Sequence, residues 1–171
     1  MAENFPTDAF ADVLEGNRSY AETFPGTGLT GTALKGLALV TCMDSRIEPL
    51  PLLGMEQGDV KILRNAGARV TDDVLRTLVL ATYLLGVTRV LVMPHTNCKM
   101  ASASEADIHA TILDEFGVDT ASVEFRTVND QEAALVYDVR RIRSYPLLPP
   151  DLVVAGGIYD VHTGLLSPRD V

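Results

Sequence analysis

Tryptophan is absent from the 171-residue sequence, and aromatic residues make up only 6% of it. The core is therefore expected to consist mainly of Leu, Val, Ile and Ala. Basic residues are also scarce: 14 Lys and Arg stand against 23 Asp and Glu, for a formal net charge of -9. That balance argues against nucleic acid as a partner, because phosphates need clustered Lys and Arg to displace their counterions. It argues equally against an anionic membrane surface. No apolar stretch reaches the roughly 18 residues of a membrane-spanning helix. The opening MAENFPTDAF lacks the basic flank and apolar run of a signal peptide, so the cytoplasm is the expected location. Only 2 cysteines are present. In a reducing compartment they read as thiols or metal ligands rather than as a disulfide.

What remains is ordinary for a globular chain, with 47% hydrophobic residues, and the length suits a single domain over 1–171. Residues 7–23 place Phe10, Val13, Leu14 and Ala21 at helical spacing, predicting an amphipathic first helix in an arm over 1–30. Short apolar runs at 36–40, 60–64, 89–94 and 152–160 predict strands. Between them, 71–86 predicts a helix capped by Thr71 and ended by Gly86, with further helices at 104–116 and 129–144. Strands alternating with helices predict an α/β fold with a mostly parallel sheet and helices on its faces.

Cys42 follows the first predicted strand, and His95 and Cys98 follow the third. In open parallel sheets, sites form beyond the carboxyl ends of strands where crossovers diverge. If those two strands are neighbours, the three side chains converge. Two thiols and an imidazole suit zinc, and three protein ligands leave a coordination position for water, as in catalytic sites. The plainer reading of each residue stays open: a strand-end cysteine is more often a small buried hydrophobe. Asp44 and Arg46, just beyond Cys42, read either as a solvated ion pair or as chemistry beside a metal. GTGLTG at 26–31 matches a dinucleotide fingerprint literally, but it follows a helix and precedes a strand. That context is inverted, so it reads as a loop. His109 reads as a surface or packing residue and His162 as a turn residue.

Taken together, Cys42-Met43-Asp44-Ser45-Arg46, Arg64-Asn65-Ala66-Gly67-Ala68 and His95-Thr96-Asn97-Cys98 resemble the β-class carbonic anhydrases of compact bacterial type. The resemblance runs from about 35 to 166 and closes on GGIYDVHTG. It implies core strand order 2-1-3-4 with a C-terminal antiparallel strand. It implies one zinc ion per chain on Cys42, His95 and Cys98, with Asp44 and Arg46 as the catalytic dyad. Asn65, Ala66 and Gly67 would line the substrate pocket. The implied reaction is reversible hydration of carbon dioxide to bicarbonate and a proton, by attack of hydroxide supplied at the zinc. Asp44 would also be able to leave Arg46 and become the fourth ligand in a closed site. A homodimer or homotetramer is implied as well. The family usually has Gly after the second cysteine, where this chain has Lys99. The alternatives are a carbonyl sulfide or carbon disulfide hydrolase on the same scaffold, and a non-enzymatic zinc or thiol module.

Overall fold

Five strands hydrogen-bond into one sheet: β1 (Leu37–Cys42), β2 (Val60–Asn65), β3 (Arg89–Met93), β4 (Val153–Tyr159) and β5 (Leu166–Arg169). Their order is β2-β1-β3-β4-β5, parallel throughout except for the antiparallel β4–β5 pair. The expected α/β class, the 2-1-3-4 core and the antiparallel last strand are all found in this computed structural model, which describes residues 5–26 and 28–171.

All six residues of β1 are buried, as befits a central strand of a parallel sheet. Its neighbours alternate between two faces. Ala38 and Val40 pack into the larger apolar cluster with Val74, Leu75 and Leu78 of α3 (Asp72–Leu84) and with Leu135, Val139 and Ile142 of α5 (Gln131–Arg143). Leu39 points into a smaller cluster with Ile47, Ala68, Met93 and both cysteines. The donors thus sit in a compact apolar setting on the second face. β1 runs two residues beyond the apolar run that predicted it. Cys42 is its last residue rather than the second after it, because Thr41 and Cys42 still pair with Arg64 and Asn65. Buried Thr41 satisfies its hydroxyl by donating to the Met93 carbonyl at 2.8 Å.

Thr71 caps α3 as expected, its hydroxyl accepting from the Val74 amide at 3.4 Å; removing such a cap costs about 1 kcal/mol. Gly86 follows that helix at φ 75°, a conformation most residues avoid. α4 (Glu105–Phe116) opens with a reciprocal Ser104–Asp107 capping box, and Asp130 caps α5. The sequence pattern missed α2 (Pro49–Leu52), too short to show a period.

The chain up to Thr30 is a unit of its own. A 3₁₀ turn over Thr7–Phe10 leads into α1 (Ala11–Thr23), none of whose residues is buried. The ring pairs Phe5–Phe10 and Tyr20–Phe24 each lie 5.4 Å apart. Gly26 and Gly28 of the fingerprint-like loop take positive φ, while its Thr27 lies outside the described residues. Among the described residues no helix is long and apolar enough to cross a membrane.

Candidate metal centre

The sheet brings together side chains up to 56 positions apart. β1 ends on Cys42, directly beside Asn65 of β2. β3 ends at Met93, but the ladder resumes past Pro94: His95 bridges Tyr159, and the Thr96 amide donates to the Tyr159 carbonyl at 2.9 Å. Asn97 then takes φ 55°, turning the chain so that Cys98 faces back toward Cys42. Asn tolerates this left-handed region better than most residues. A 3₁₀ turn over Lys99–Ala101 follows.

The ligating atoms of Cys42, His95 and Cys98 all lie within 4.8 Å of one another, and all three residues are buried. The two Sγ atoms are 4.0 Å apart. His95 Nδ1 sits 2.9 Å from the Thr96 carbonyl, which can only accept, so Nδ1 carries the hydrogen and Nε2 the lone pair. That Nε2 is buried without any hydrogen-bond partner among the described residues. A satisfied core histidine would not leave such an atom bare; a metal ligand would. The Gln131 side chain donates to the His95 carbonyl at 2.7 Å and fixes the backbone from behind.

The two thiols shift in opposite directions. The Cys42 thiol is drawn well below its usual range by its hydrogen bond from Cys98, assisted by His95 and the amides of Gly67 and Asp44, against the effect of burial. Cys98 is pushed up in turn, first by the Cys42 thiolate and then by burial. Beside that thiolate His95 is raised. A thiol favoured as the thiolate, a second thiol that needs a cation to ionise and a bare imidazole nitrogen fit a zinc donor set.

Asp44 and Arg46 lie against this triad. The Arg46 guanidinium donates to both carboxylate oxygens, Nε to Oδ1 at 2.9 Å and Nη2 to Oδ2 at 2.7 Å. The Arg46 amide adds a third bond at 2.9 Å, and Nη2 also reaches the Asn97 carbonyl. These bonds hold the Asp44 carboxyl well below the usual carboxylate range. Asp44 Oδ2 stands 3.8 Å from His95 Nε2. Arg64 braces the loop, donating to the carbonyls of Cys42 and Asp44 at 3.0 and 2.6 Å.

Of the Asn65–Ala66–Gly67 segment, Gly67 donates its amide to Cys42 Sγ at 3.4 Å. The Asn65 side chain turns instead onto the Arg69 backbone. Lys99 is exposed and avoids the left-handed conformation, which Asn97 carries instead. His109 and His162 stand apart from the triad: His109 pairs with Thr120 at 2.8 Å, and the His162 amide donates to Asp160. Arg64 and Gln131 brace the centre without having been singled out as site residues. Only Arg64 had a sequence signal, its place in the Arg64–Ala68 motif.

Residues 37–166 match the family model described as carbonic anhydrase. Beta-carbonic anhydrase 1 of Mycobacterium tuberculosis is 35% identical over 157 residues, covering 91% of this chain and 94% of that protein. The crystal structure of carbonic anhydrase from Streptococcus mutans superposes with a TM-score of 0.89 at 34% identity, covering 99% of this chain and 100% of that one. A carbon disulfide hydrolase of Acidithiobacillus thiooxidans is 28% identical over 152 residues, covering 77% and 76% of the two chains. The chain therefore belongs to the carbonic anhydrase family, in its β class. Zinc is the cofactor of that class, and the Cys42–His95–Cys98 cluster can hold it.

Proposed function

We propose that this chain catalyses the reversible hydration of carbon dioxide, with Cys42, His95 and Cys98 holding zinc and Asp44 and Arg46 serving the substrate. The observation that carries this reading is the bare, buried Nε2 of His95 between two cysteines, with the Asp44 carboxylate 3.8 Å away. When bound, zinc supplies positive charge and an acidified water, lowering its pKa from about 15.7 toward about 7. Asp44 does the orienting. Kept ionised by Arg46, it is an acceptor only, so it takes a hydrogen bond from the attacking water and aims the lone pair at the substrate carbon. Bicarbonate and one proton leave, the proton passing to buffer. Arg46 keeps Asp44 in place through two parallel bonds. Should Asp44 turn from Arg46, its carboxylate is near enough to close the triad. The Asn65–Gly67 backbone lines the pocket beside Cys42.

Carbonyl sulfide and carbon disulfide present the same linear, electrophilic carbon. The relatives at 34–35% identity are carbonic anhydrases and the one at 28% is the disulfide hydrolase, which favours carbon dioxide. Assembly as a homodimer or homotetramer is supported by apolar residues left in water: Leu80, Tyr83 and Leu84 on α3, Leu113 and Phe116 on α4, and Ile62 on the edge strand β2. Acidic charge and the absence of a spanning helix among the described residues support a cytoplasmic location.

The test is stopped-flow hydration of carbon dioxide by zinc-loaded protein, with carbonyl sulfide and carbon disulfide run in parallel for sulfide release. Fast hydration with negligible sulfide release is expected. Sulfide release without hydration reassigns the substrate, and neither reaction from fully zinc-loaded protein points to a non-enzymatic module.

A further inference from the structure

Cys42 accepts its Gly67 hydrogen bond from a loop that ordinary backbone would not form unaided. Gly67 and Ala68 are both left-handed, at φ 77° and 58°. Such a residue with a side chain is held only where its surroundings over-determine it. Two clamps do so here. The Asn65 amide donates to the Arg69 carbonyl at 2.7 Å and accepts from the Arg69 N–H at 2.8 Å, closing the loop like a buckle. Arg69 is then tied from outside: Nε donates to Asp138 Oδ2 at 2.7 Å, and Nη1 to the Arg126 carbonyl at 3.0 Å.

Asp138, on α5, is 3% exposed, and its Oδ1 has no hydrogen-bond partner among the described residues. It lines a narrow cavity that also touches Gly67, Arg69, Cys98 and Gln131. A buried ion pair with one oxygen unsatisfied is a poor way to stabilise a fold, since well-packed apolar residues usually do as well or better. The Arg69 guanidinium bonds Asp138 and the Arg126 carbonyl rather than any member of the triad, while its backbone ends the loop that presents the Gly67 amide.

We propose that the Asp138–Arg69 pair is a positioning device for the metal centre: α5 anchors Arg69, Arg69 fixes the Asn65–Arg69 loop, and the loop holds its Gly67 amide on the Cys42 sulfur. The inference rests on the reading of Cys42 as a metal donor. Asp138 touches neither substrate nor metal and acts only through this chain of contacts.

The test replaces both charges at once, Arg69→Met with Asp138→Leu, so that no unpaired charge stays buried. Three quantities are read on the whole protein: the melting temperature, zinc affinity by chelator competition, and the thiolate-to-metal absorption band of the cobalt-substituted form. A positioning role predicts a melting temperature kept or raised, zinc binding weakened about ten- to a hundredfold, as for other residues that orient ligands, and a shifted cobalt band. Asp138→Asn alone, nearly the same shape, serves if the double variant does not fold; it is expected to move the band in the same direction by less. Unchanged zinc affinity and cobalt band in whichever variant folds overturn the proposal, even if stability changes. Wild-type protein that binds no zinc overturns the metal reading itself, and this inference falls with it.

Discussion

Two arginine–aspartate pairs flank the metal centre, one beside the triad and one behind the Asn65–Arg69 loop, and they differ in almost everything except length. Both close at 2.7 Å. In Arg46–Asp44 the side chains are 42% and 19% exposed; in Arg69–Asp138 they are 12% and 4%. An ion pair at the surface adds little to stability, because water screens it and both side chains can find other partners. It is free to rearrange, which suits groups that must meet a substrate. A buried pair is costly to form and worse to break, which suits a part that must not move. On this account the chemistry is carried by the exposed pair and the geometry by the buried one.

The largest expected effect lies beneath both pairs. Cys98→Ser should lose bound zinc and bring carbon dioxide hydration down to the uncatalysed background, as metal analysis and stopped flow will show. A variant that kept both zinc and rate would break the shared floor of the comparison. Next come the arginines, where stability should separate them. Arg69→Met leaves Asp138 buried and unpaired and is expected to destabilise the fold by about 3–5 kcal/mol in chemical denaturation. Arg46→Met should change it by less than about 1 kcal/mol. Equal losses would erase the distinction drawn here.

Acidity sharpens the picture at the thiols. Because Cys98 is pushed up, zinc must displace its proton to bind, and the raised His95 takes up a competing proton as pH falls. Protons and zinc then compete, so affinity should fall as pH falls, by about tenfold per pH unit for each proton displaced. Chelator competition at two pH values measures it, and a flat response would mean that the donors are already deprotonated. The smallest effect is expected at Lys99. Exposed and in ordinary backbone, it should tolerate Lys99→Gly within about 0.5 kcal/mol of stability in chemical denaturation. A hydration rate altered more than a few-fold by that change would show that its cation acts on the centre.

Much of this was legible in the sequence because it depends on local pattern. The apolar runs located every strand of the parallel core, and the ends of α3 followed from backbone needs that Thr71 and Gly86 state alone. The expected convergence needed only β1 and β3 to be neighbours, and they are. Other features had no local signature. Cys42 was placed past its strand because Thr41 interrupts the apolar run, whereas pairing on both sides decides where β1 ends. Where the family usually has glycine, Lys99 keeps ordinary backbone, because Asn97 makes the left-handed turn two residues earlier. Asp138 reads as one more polar residue on α5; only the packing of that helix over the Arg69 loop reveals its partner.

The central claim is that holding the metal and using it are separate tasks of separate residues. It is tested most directly by measuring zinc content and carbon dioxide hydration on the same preparations of wild-type protein and Asp44→Asn. One zinc per chain is expected in both, with hydration lower in the variant by roughly 10²–10⁴-fold, the range expected when a group that manages a proton is disabled. Equal rates at equal zinc content, or zinc lost along with the Asp44 charge, would contradict it.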